Sequence, residues 1–377
     1  MKKKPANPFL TTGYHSPEYF CDREKETGRL LSNLQNGSNT TLVSIRRIGK
    51  TGLIKHLFYQ LPENWRSIYV DILATENLSQ FLNVMASAIM NALSEKGNPG
   101  KRFLNFLKTL RPVISYDPLT NAPQVSFNQQ QTDDTESSIR SILSYLEKQE
   151  FDVVIAIDEF QQITNYPERN TVSWLRGIIQ EFNNVRFIFS GSRQHLMNEL
   201  FNSPSRPFYR SSLMMVLEKI DREAYAKFIE KQFIAVRKKI GPDVIREILE
   251  WTYGHTYYVQ LLCNKIYSQK QSIITSEVWK TEAYKLLKEE ELFFINYRNM
   301  LTRPQWQLLK AIAKEGMTFS PTSKDFIGRH RLGSPSTVLR SLEALIKNEL
   351  LYKGVSENGL SFYSVYDVLF QRWAETV

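Results

Sequence analysis

Gly49-Lys50-Thr51 and, far downstream, Asp158-Glu159 are the two places where residue types and spacing suit one chemistry. A lysine and a hydroxyl opening a helix after a tight loop are what a polyphosphate and its divalent cation require. Backbone N–H groups wrap the β-phosphate, the ammonium spans the β- and γ-phosphates, and the hydroxyl reaches the cation. A helix starting at Lys50 adds the positive end of its dipole. Two consecutive carboxylates at a strand end complete the set, with Asp158 holding Mg²⁺ through water and Glu159 polarising an attacking water.

The loop reads Ser44-Ile45-Arg46-Arg47-Ile48-Gly49-Lys50-Thr51, with Gly52 next, so Ser44 stands where the pattern G-x-x-x-x-G-K-[ST] opens on Gly. Gly there makes the tight turn, so Ser44 must reach a compatible backbone geometry or bend the loop. Taken alone, this segment is equally well read as an ordinary turn with a charged surface. The run Phe151-Asp-Val-Val-Ile-Ala-Ile-Asp158-Glu159 is a β-branched apolar strand with carboxylates at its exit, for which a solvated surface pair is the bland alternative. Their occurrence together favours a bound nucleoside triphosphate.

The elements that must position these groups alternate between strand and helix over the first half of the chain, which predicts a parallel sheet with crossover helices. Strands are expected at 41–45, 67–72, 153–157, 185–189 and 213–217. Helical spacing of apolar residues marks 77–93 (Leu78, Phe81, Leu82, Met85, Ala88, Ile89, Leu93) and 135–148 (Ile139, Ile142, Leu143, Leu146). Residues 113–127 read as a hairpin inserted at the sheet's edge, followed by a polar loop over 128–134. After the strand Val185–Phe189 come Ser190-Gly191-Ser192-Arg193, where a hydroxyl or guanidinium beside the loop can sense the γ-phosphate; ordinary turn chemistry is the alternative.

From about residue 218 the pattern is helical, at 221–238, 242–252 and 255–269, which suggests a small helical domain over the nucleotide. Gly254-His255-Thr256 opens the last of these, bringing free N–H groups and an imidazole that can approach base or phosphates, or serve simply as a cap. Residues 301–377 have a separate logic. Thr302 caps a helix through Lys314, a short helix surrounds Phe326-Ile327, Ser334-Pro335 opens a third helix, and Asn358-Gly359 joins two strands. Three helices and a hairpin spell a winged helix. Its third helix places Val338, Leu342, Leu345 and Ile346 inward, and Ser336, Thr337, Arg340 and Ser341 outward as candidate DNA contacts. One arginine on that face suits DNA and a protein partner equally.

With 377 residues, 42% hydrophobic and 12% aromatic, the chain is long enough for two or three domains with packed cores. We place an α/β core at 1–217, a helical lid and connector at 218–300 and a winged helix at 301–377. Cys21 and Cys263 lie far apart, which indicates neither a disulfide framework nor a zinc site and fits a reducing cytoplasm. The start Met1-Lys-Lys-Lys-Pro5 has the charge of an export signal, but no apolar stretch follows and none elsewhere reaches the ~18 residues of a membrane span. A net charge of +9 and a pI near 9.3 favour an acidic partner such as nucleic acid or nucleotide phosphates. Over 219–240, seven basic residues against three acidic ones read as a solvated helical face.

Together these segments resemble the archaeal-type ATPase family, P-loop proteins allied to the AAA+ and STAND ATPases, over nearly the whole chain. Phe20-Cys-Asp22-Arg23-Glu-Lys-Glu looks like the family's F-x-G-R-E-x-E, with Asp22 for Gly. Arg46-Arg47-Ile48-Gly49-Lys50-Thr51 resembles R-R-x-G-K-T, and Phe189-Ser190-Gly191-Ser192 the end of the sensor strand. Pro207-Phe-Tyr-Arg210 is similar to P-L-Y-G-R without its Gly. Tyr253-Gly254-His255-Thr256-Tyr257-Tyr258-Val-Gln260 resembles G-G-H-P-Y-Y-x-Q, with Tyr253 for Gly and Thr256 for Pro. Tyr366-Asp367-Val368-Leu-Phe370-Gln-Arg-Trp373 looks like D-P-L-F-x-x-W.

The resemblance implies a core of the additional-strand, catalytic-glutamate class, a lid and a winged helix, with ATP or ADP and Mg²⁺ as ligands and nucleotide state setting the angle between the parts. Arg23 and His255 join the loop as nucleotide-binding candidates, and Arg193 and Arg210 join Ser190 and Ser192 as sensors. Two functions follow: a slow ATP-driven switch, or a DNA-binding regulator or protein scaffold in which nucleotide is mainly structural. AAA+ relatives can draw an arginine from a neighbouring subunit, so an oligomer is compatible, though no residue here identifies that arginine.

Overall fold

The computed structural model describes residues 4–94, 98–127, 131–356 and 358–377. These fall into two compact units, one of residues 13–218 and one of residues 4–12 with 219–377. Among the described residues no helix is long and apolar enough to cross a membrane.

In chain order, the first unit comprises α1 (Glu24–Gln35), β1 (Thr40–Val43), α2 (Lys50–Gln60), β2 (Trp65–Asp71), α3 (Leu78–Ser94) and α4 (Asn98–Thr109). There follow β3 (Val113–Tyr116), β4 (Pro123–Ser126), α5 (Thr132–Glu147), β5 (Asp152–Asp158), α6 (Thr171–Ile179), β6 (Val185–Gly191), α7 (Gln194–Asn202) and β7 (Leu213–Val216). Five strands form one parallel sheet in the order β2-β5-β6-β1-β7, so β6 lies between the loop strand β1 and the carboxylate strand β5.

Alternation along the strands divides the core into two layers. Val43, Ile68, Val70, Ile155, Ile157, Phe187 and Phe189 face one layer, packed by Phe81, Leu82, Met85 and Ile89 of α3 and Ile139 and Ile142 of α5. Leu42, Val154, Ala156, Ile188 and Met215 face the other, packed by Leu30 and Leu34 of α1 and Leu53, Ile54 and Leu57 of α2. Burial on both faces explains why the strands read as continuous apolar runs rather than as polar–apolar alternation. It also fixes α2, and with it Lys50 and Thr51, on the β1 side of the strand ends.

The hairpin β3–β4 forms as expected, but as a separate two-stranded sheet rather than an addition to the main sheet's edge. It is held on α3, where Ser87 Oγ accepts from Val125 N at 2.8 Å and Asn83 Oδ1 accepts from Phe127 N at 2.9 Å. Side-chain amides and hydroxyls of a helix thus take the bonds that a neighbouring strand would have taken. Of the polar loop expected over 128–134, residues 128–130 lie outside the described residues, and Thr132, Asp133 and Asp134 form the acidic first turn of α5 instead.

The second unit runs through α8 (Arg222–Ile234), β8 (Lys239–Ile240), α9 (Pro242–Trp251), α10 (Thr256–Tyr267), β9 (Ile273–Ile274) and α11 (Ser276–Met300). It ends in α12 (Arg303–Glu315), α13 (Lys324–His330), α14 (Pro335–Lys347), β10 (Leu351–Val355), β11 (Ser361–Val365) and α15 (Val368–Ala374). Phe9 is buried against Phe228, Phe233 and Tyr267, and Asn264 Nδ2 donates to Phe9 O at 2.8 Å, tying the 4–12 segment to α8 and α10.

Thr302 and Gln305 form the capping box that opens α12, and Ser334 Oγ accepts from Thr337 N at α14. β10 and β11 pair antiparallel across a turn with Gly359 at φ +75°, and Thr318 adds a bridge to Tyr363. The winged helix is closed by α15, whose Phe370 and Trp373 pack against Trp306 and Phe294.

Candidate functional site

Three adjacent parallel strands of the first unit, β1, β6 and β5, carry sequence-predicted groups at their C-terminal ends. β1 leads into the loop 44–49, in which positive φ falls on Arg47 (+61°) and Gly49 (+110°). Ser44 is not among the left-handed residues, so a side chain at this place costs the backbone nothing. Its buried hydroxyl donates to Ile45 O at 2.8 Å and accepts from Lys50 Nζ at 3.2 Å. Ile48 is buried and anchors the loop, while Arg46 and Arg47 are exposed. Gly52, in the first turn of α2, leaves room for the Phe20 ring, which an added Cβ would meet at 3.2 Å.

Lys50 is only 6% exposed, and the hydrogen bond given by its ammonium goes to a neutral hydroxyl. Burial pushes its pKa down; Asp158 and Glu159 pull it back up and Arg46 lowers it further. A desolvated cation bonded to a hydroxyl, with carboxylates near but not touching, is a charge suited to an incoming anion. Thr51 Oγ1 donates to Asp158 Oδ2 at 2.8 Å, and Glu159 N donates to Asp158 Oδ1 at 3.1 Å. Glu159 follows at φ +55°, and its Oε2 accepts from Gln161 Nε2 at 2.5 Å and Ser192 Oγ at 2.9 Å. Ser190, fully buried, has an Oγ that finds no hydrogen-bond partner among the described residues. An orphaned hydroxyl, a buried ammonium and a threonine–aspartate pair at one set of strand ends fit a polyphosphate with its divalent cation.

Sequence reasoning missed two residues here. Tyr69, on β2, donates its hydroxyl to Asp158 Oδ2 at 2.5 Å; burial, then the neighbouring Asp158, raises its pKa far above the usual phenol range. Asp71, paired in register with Asp158, has its pKa raised by burial, with Asp158 and Glu159 adding to the rise. Both sit inside a run that reads as an ordinary strand. Their two-residue spacing puts them on one face of β2, but only the sheet register shows which strand that face meets.

Other candidates stand elsewhere. The buried Arg23 donates to Glu26 Oε1 and to Glu218 O, both at 2.6 Å. Arg193 is exposed at the start of α7, and Arg210, also exposed, lies beside the Tyr209 ring at 5.3 Å. His255, in the second unit, is buried at the start of α10 against Tyr258. On α14, Ser336 and Arg340 are exposed and Thr337 half-buried. Ser341 is a correction: it is 6% exposed, because its spacing from Val338, Leu342 and Leu345 puts it on the inward face. Arg331, exposed at φ +50° in the turn before α14, was not foreseen.

A parallel sheet whose strand β1 feeds a Gly-Lys-Thr loop, with an extra strand between it and a strand ending in two carboxylates, defines the α/β P-loop nucleotide-binding class. Residues 20–262 match the family described as ATPase domain predominantly from Archaea, and the chain belongs to that family. Residues 292–376 match a second family, described as "probable winged helix domain". No curated protein matches the chain.

Among solved structures, the chain is similar to the Walker-type ATPase PABY2304 of Pyrococcus abyssi at 17% identity and a TM-score of 0.66, covering 97% of this chain and 99% of that one. The ORC2 protein of Aeropyrum pernix, solved with ADPNP and ADP, is similar at 13% identity and a TM-score of 0.58, over 97% and 95% of the two chains. The ORC1 protein of Aeropyrum pernix, solved with DNA, gives 15% and 0.51 over 95% and 93%. At these identities the likeness is one of fold.

Proposed function

We propose that the chain binds ATP with Mg²⁺ at residues 44–52, hydrolyses it slowly, and works as a nucleotide-driven switch. The observation that carries this is the buried Lys50 ammonium, bonded only to Ser44 among the described residues and set beside the Thr51–Asp158 pair. When bound, Mg²⁺ supplies charge neutralisation on the phosphate oxygens. Thr51 and Asp158 hold that cation, the loop N–H groups from Arg46 to Gly52 cradle phosphate, and Lys50 spans the outer phosphates. Glu159 takes up the proton of the attacking water, while Ser192 and Gln161 hold its carboxylate in place. Ser190, Arg193 and Arg210 are assigned to sensing the γ-phosphate, and Arg23 and His255 to the nucleotide's surroundings. Residues 218–300 act as a lid, and ATP favours a lid position that ADP does not, which presents the 301–377 winged helix to a partner.

The test is calorimetry of ADP and ATP binding to wild type and Lys50→Ala. Removal of the ammonium is expected to weaken ATP binding at least tenfold, about 1.4 kcal/mol. Unchanged affinity would remove the loop from nucleotide binding.

A second reading is supported by the exposed Arg331, Ser336 and Arg340 around the start of α14, and by the DNA complex of the similar Aeropyrum pernix ORC1. In it the winged helix binds duplex DNA and nucleotide is mainly structural. Binding would then weaken as salt rises and on Arg340→Ala, while Glu159→Gln leaves it unchanged. No duplex binding at low salt sinks this reading and leaves a protein partner.

A further inference from the structure

The carboxylate of Asp158 is gripped by three donors, two of them from other elements. Thr51 Oγ1 of α2 reaches Oδ2 at 2.8 Å, Tyr69 OH of β2 reaches the same oxygen at 2.5 Å, and Glu159 N reaches Oδ1 at 3.1 Å. The sheet register makes the Tyr69 contact possible. Asp71 pairs with Asp158 and Tyr69 with Ala156, so the phenol rises from two residues back on the neighbouring strand, on the face where α2 packs. The buried Lys50 ammonium is near enough to feel the charge of Asp158, yet its bond goes to Ser44 Oγ rather than to that carboxylate. Oppositely charged groups in a desolvated pocket attract strongly, and a carboxylate free to turn would close on the ammonium. That ion pair would occupy both the group needed for phosphate and the group needed for the cation.

We propose that Tyr69 is a positioning residue for the divalent-cation site: its hydroxyl pins Asp158 to Thr51 and keeps the carboxylate off Lys50. The phenol touches neither substrate nor cation; it acts through the orientation of Asp158. β2, the strand at the sheet's edge, thereby becomes a structural part of the nucleotide site. This rests on the reading of residues 44–52 as an ATP·Mg²⁺ site, and the experiment separates the two.

Full-length wild type and Tyr69→Phe, which keeps the ring and its packing, are compared in two measurements. Nucleotide binding is measured by calorimetry in EDTA, and Mn²⁺ binding in the presence of saturating ADP is followed by the loss of the free-ion electron paramagnetic resonance signal. Nucleotide affinity in EDTA is expected to stay within about twofold, while Mn²⁺ affinity falls about tenfold or more, the usual loss when a partner orienting a metal ligand is removed. Equal Mn²⁺ affinity in the two proteins overturns the role of Tyr69 and leaves the ATP site standing. Loss of nucleotide binding in EDTA as well makes Tyr69 a structural residue and also overturns the proposal. If wild type binds no nucleotide, both readings fall.

Discussion

At the scale of single residues, Glu159 is the group whose surroundings say most about rate. Its Oε2 accepts from Gln161 and Ser192, two neutral donors that are themselves buried, so the carboxylate is held by neutral groups and pairs with no cation among the described residues. Such a group can accept a proton only if it stays in reach of water, and Glu159 does, being half-exposed. Glu159→Gln keeps the shape and removes the proton acceptor. Phosphate release is expected to fall ~10² to 10⁴-fold, the usual contribution of a positioned general base, while nucleotide affinity by calorimetry stays within about twofold. Turnover preserved in the variant would exclude Glu159 from the reaction. The pair Asp158-Glu159 was legible in the sequence because a β-branched run ended on it, whereas Tyr69 was not. A tyrosine within a strand carries no mark of which neighbouring strand it will reach, since that depends on sheet order.

At the scale of elements, the end of β6 couples fold to site. An alanine Cβ at Gly191 would collide with Gln161 Oε1 and come within 2.6 Å of Met197 Cγ and Sδ. Gly191 therefore lets the turn after β5 approach β6 closely enough for Gln161 and Ser192 to hold Glu159. Gly191→Ala is expected to lower stability by about 1–3 kcal/mol, the usual cost of overpacking, and to slow turnover as Gln161 is displaced. Urea unfolding and phosphate release check the two together; a shifted midpoint with unchanged turnover would separate Gln161 from the chemistry.

Strands and long helices were readable from period, because buried parallel strands and amphipathic helices impose it on the sequence. Left-handed backbone was not. Asp22 and Tyr253, which stand where the resembling family carries Gly, and Arg210, in the motif that lacks its Gly, adopt φ of +57°, +51° and +52°. Glycine is the usual sign of such a turn, and here the turn persists without it. Ser341 misled for a related reason, since polarity was taken for outward phase when its spacing from Val338 and Leu345 put it inside.

At the scale of the whole molecule, one residue in a strained turn joins the helical segment after 218 to the winged helix within the second unit. Tyr253 OH accepts from Gln371 Nε2 at 2.9 Å and donates to Glu375 Oε1 at 3.3 Å, while Arg372 lies over its ring at 4.3 Å. The same guanidinium donates to Trp251 O at 2.9 Å and to Glu250 O at 3.1 Å, an oxygen that also accepts from Tyr253 N at 3.1 Å, so α15 is tied to the carbonyls at the end of α9. Lys219 Nζ donates to Tyr253 O at 2.9 Å, and Gln371 also donates to Ala313 O of α12 at 3.0 Å.

Through these bonds the turn that carries His255 and the winged helix are fastened into one body, and motion of one is motion of both. Arg372→Ala removes the carbonyl bonds and the cation over the ring together. It is expected to cost about 2 kcal/mol, since hydrogen bonds to a charged group contribute about 1.5–3 kcal/mol. Scanning calorimetry should then show the unit of residues 219–377 melting earlier, as a transition separate from that of the first unit. A single unshifted transition would mean that packing of Phe294, Trp306, Phe370 and Trp373 alone fastens α15, and that the Tyr253 turn is free to move without the winged helix.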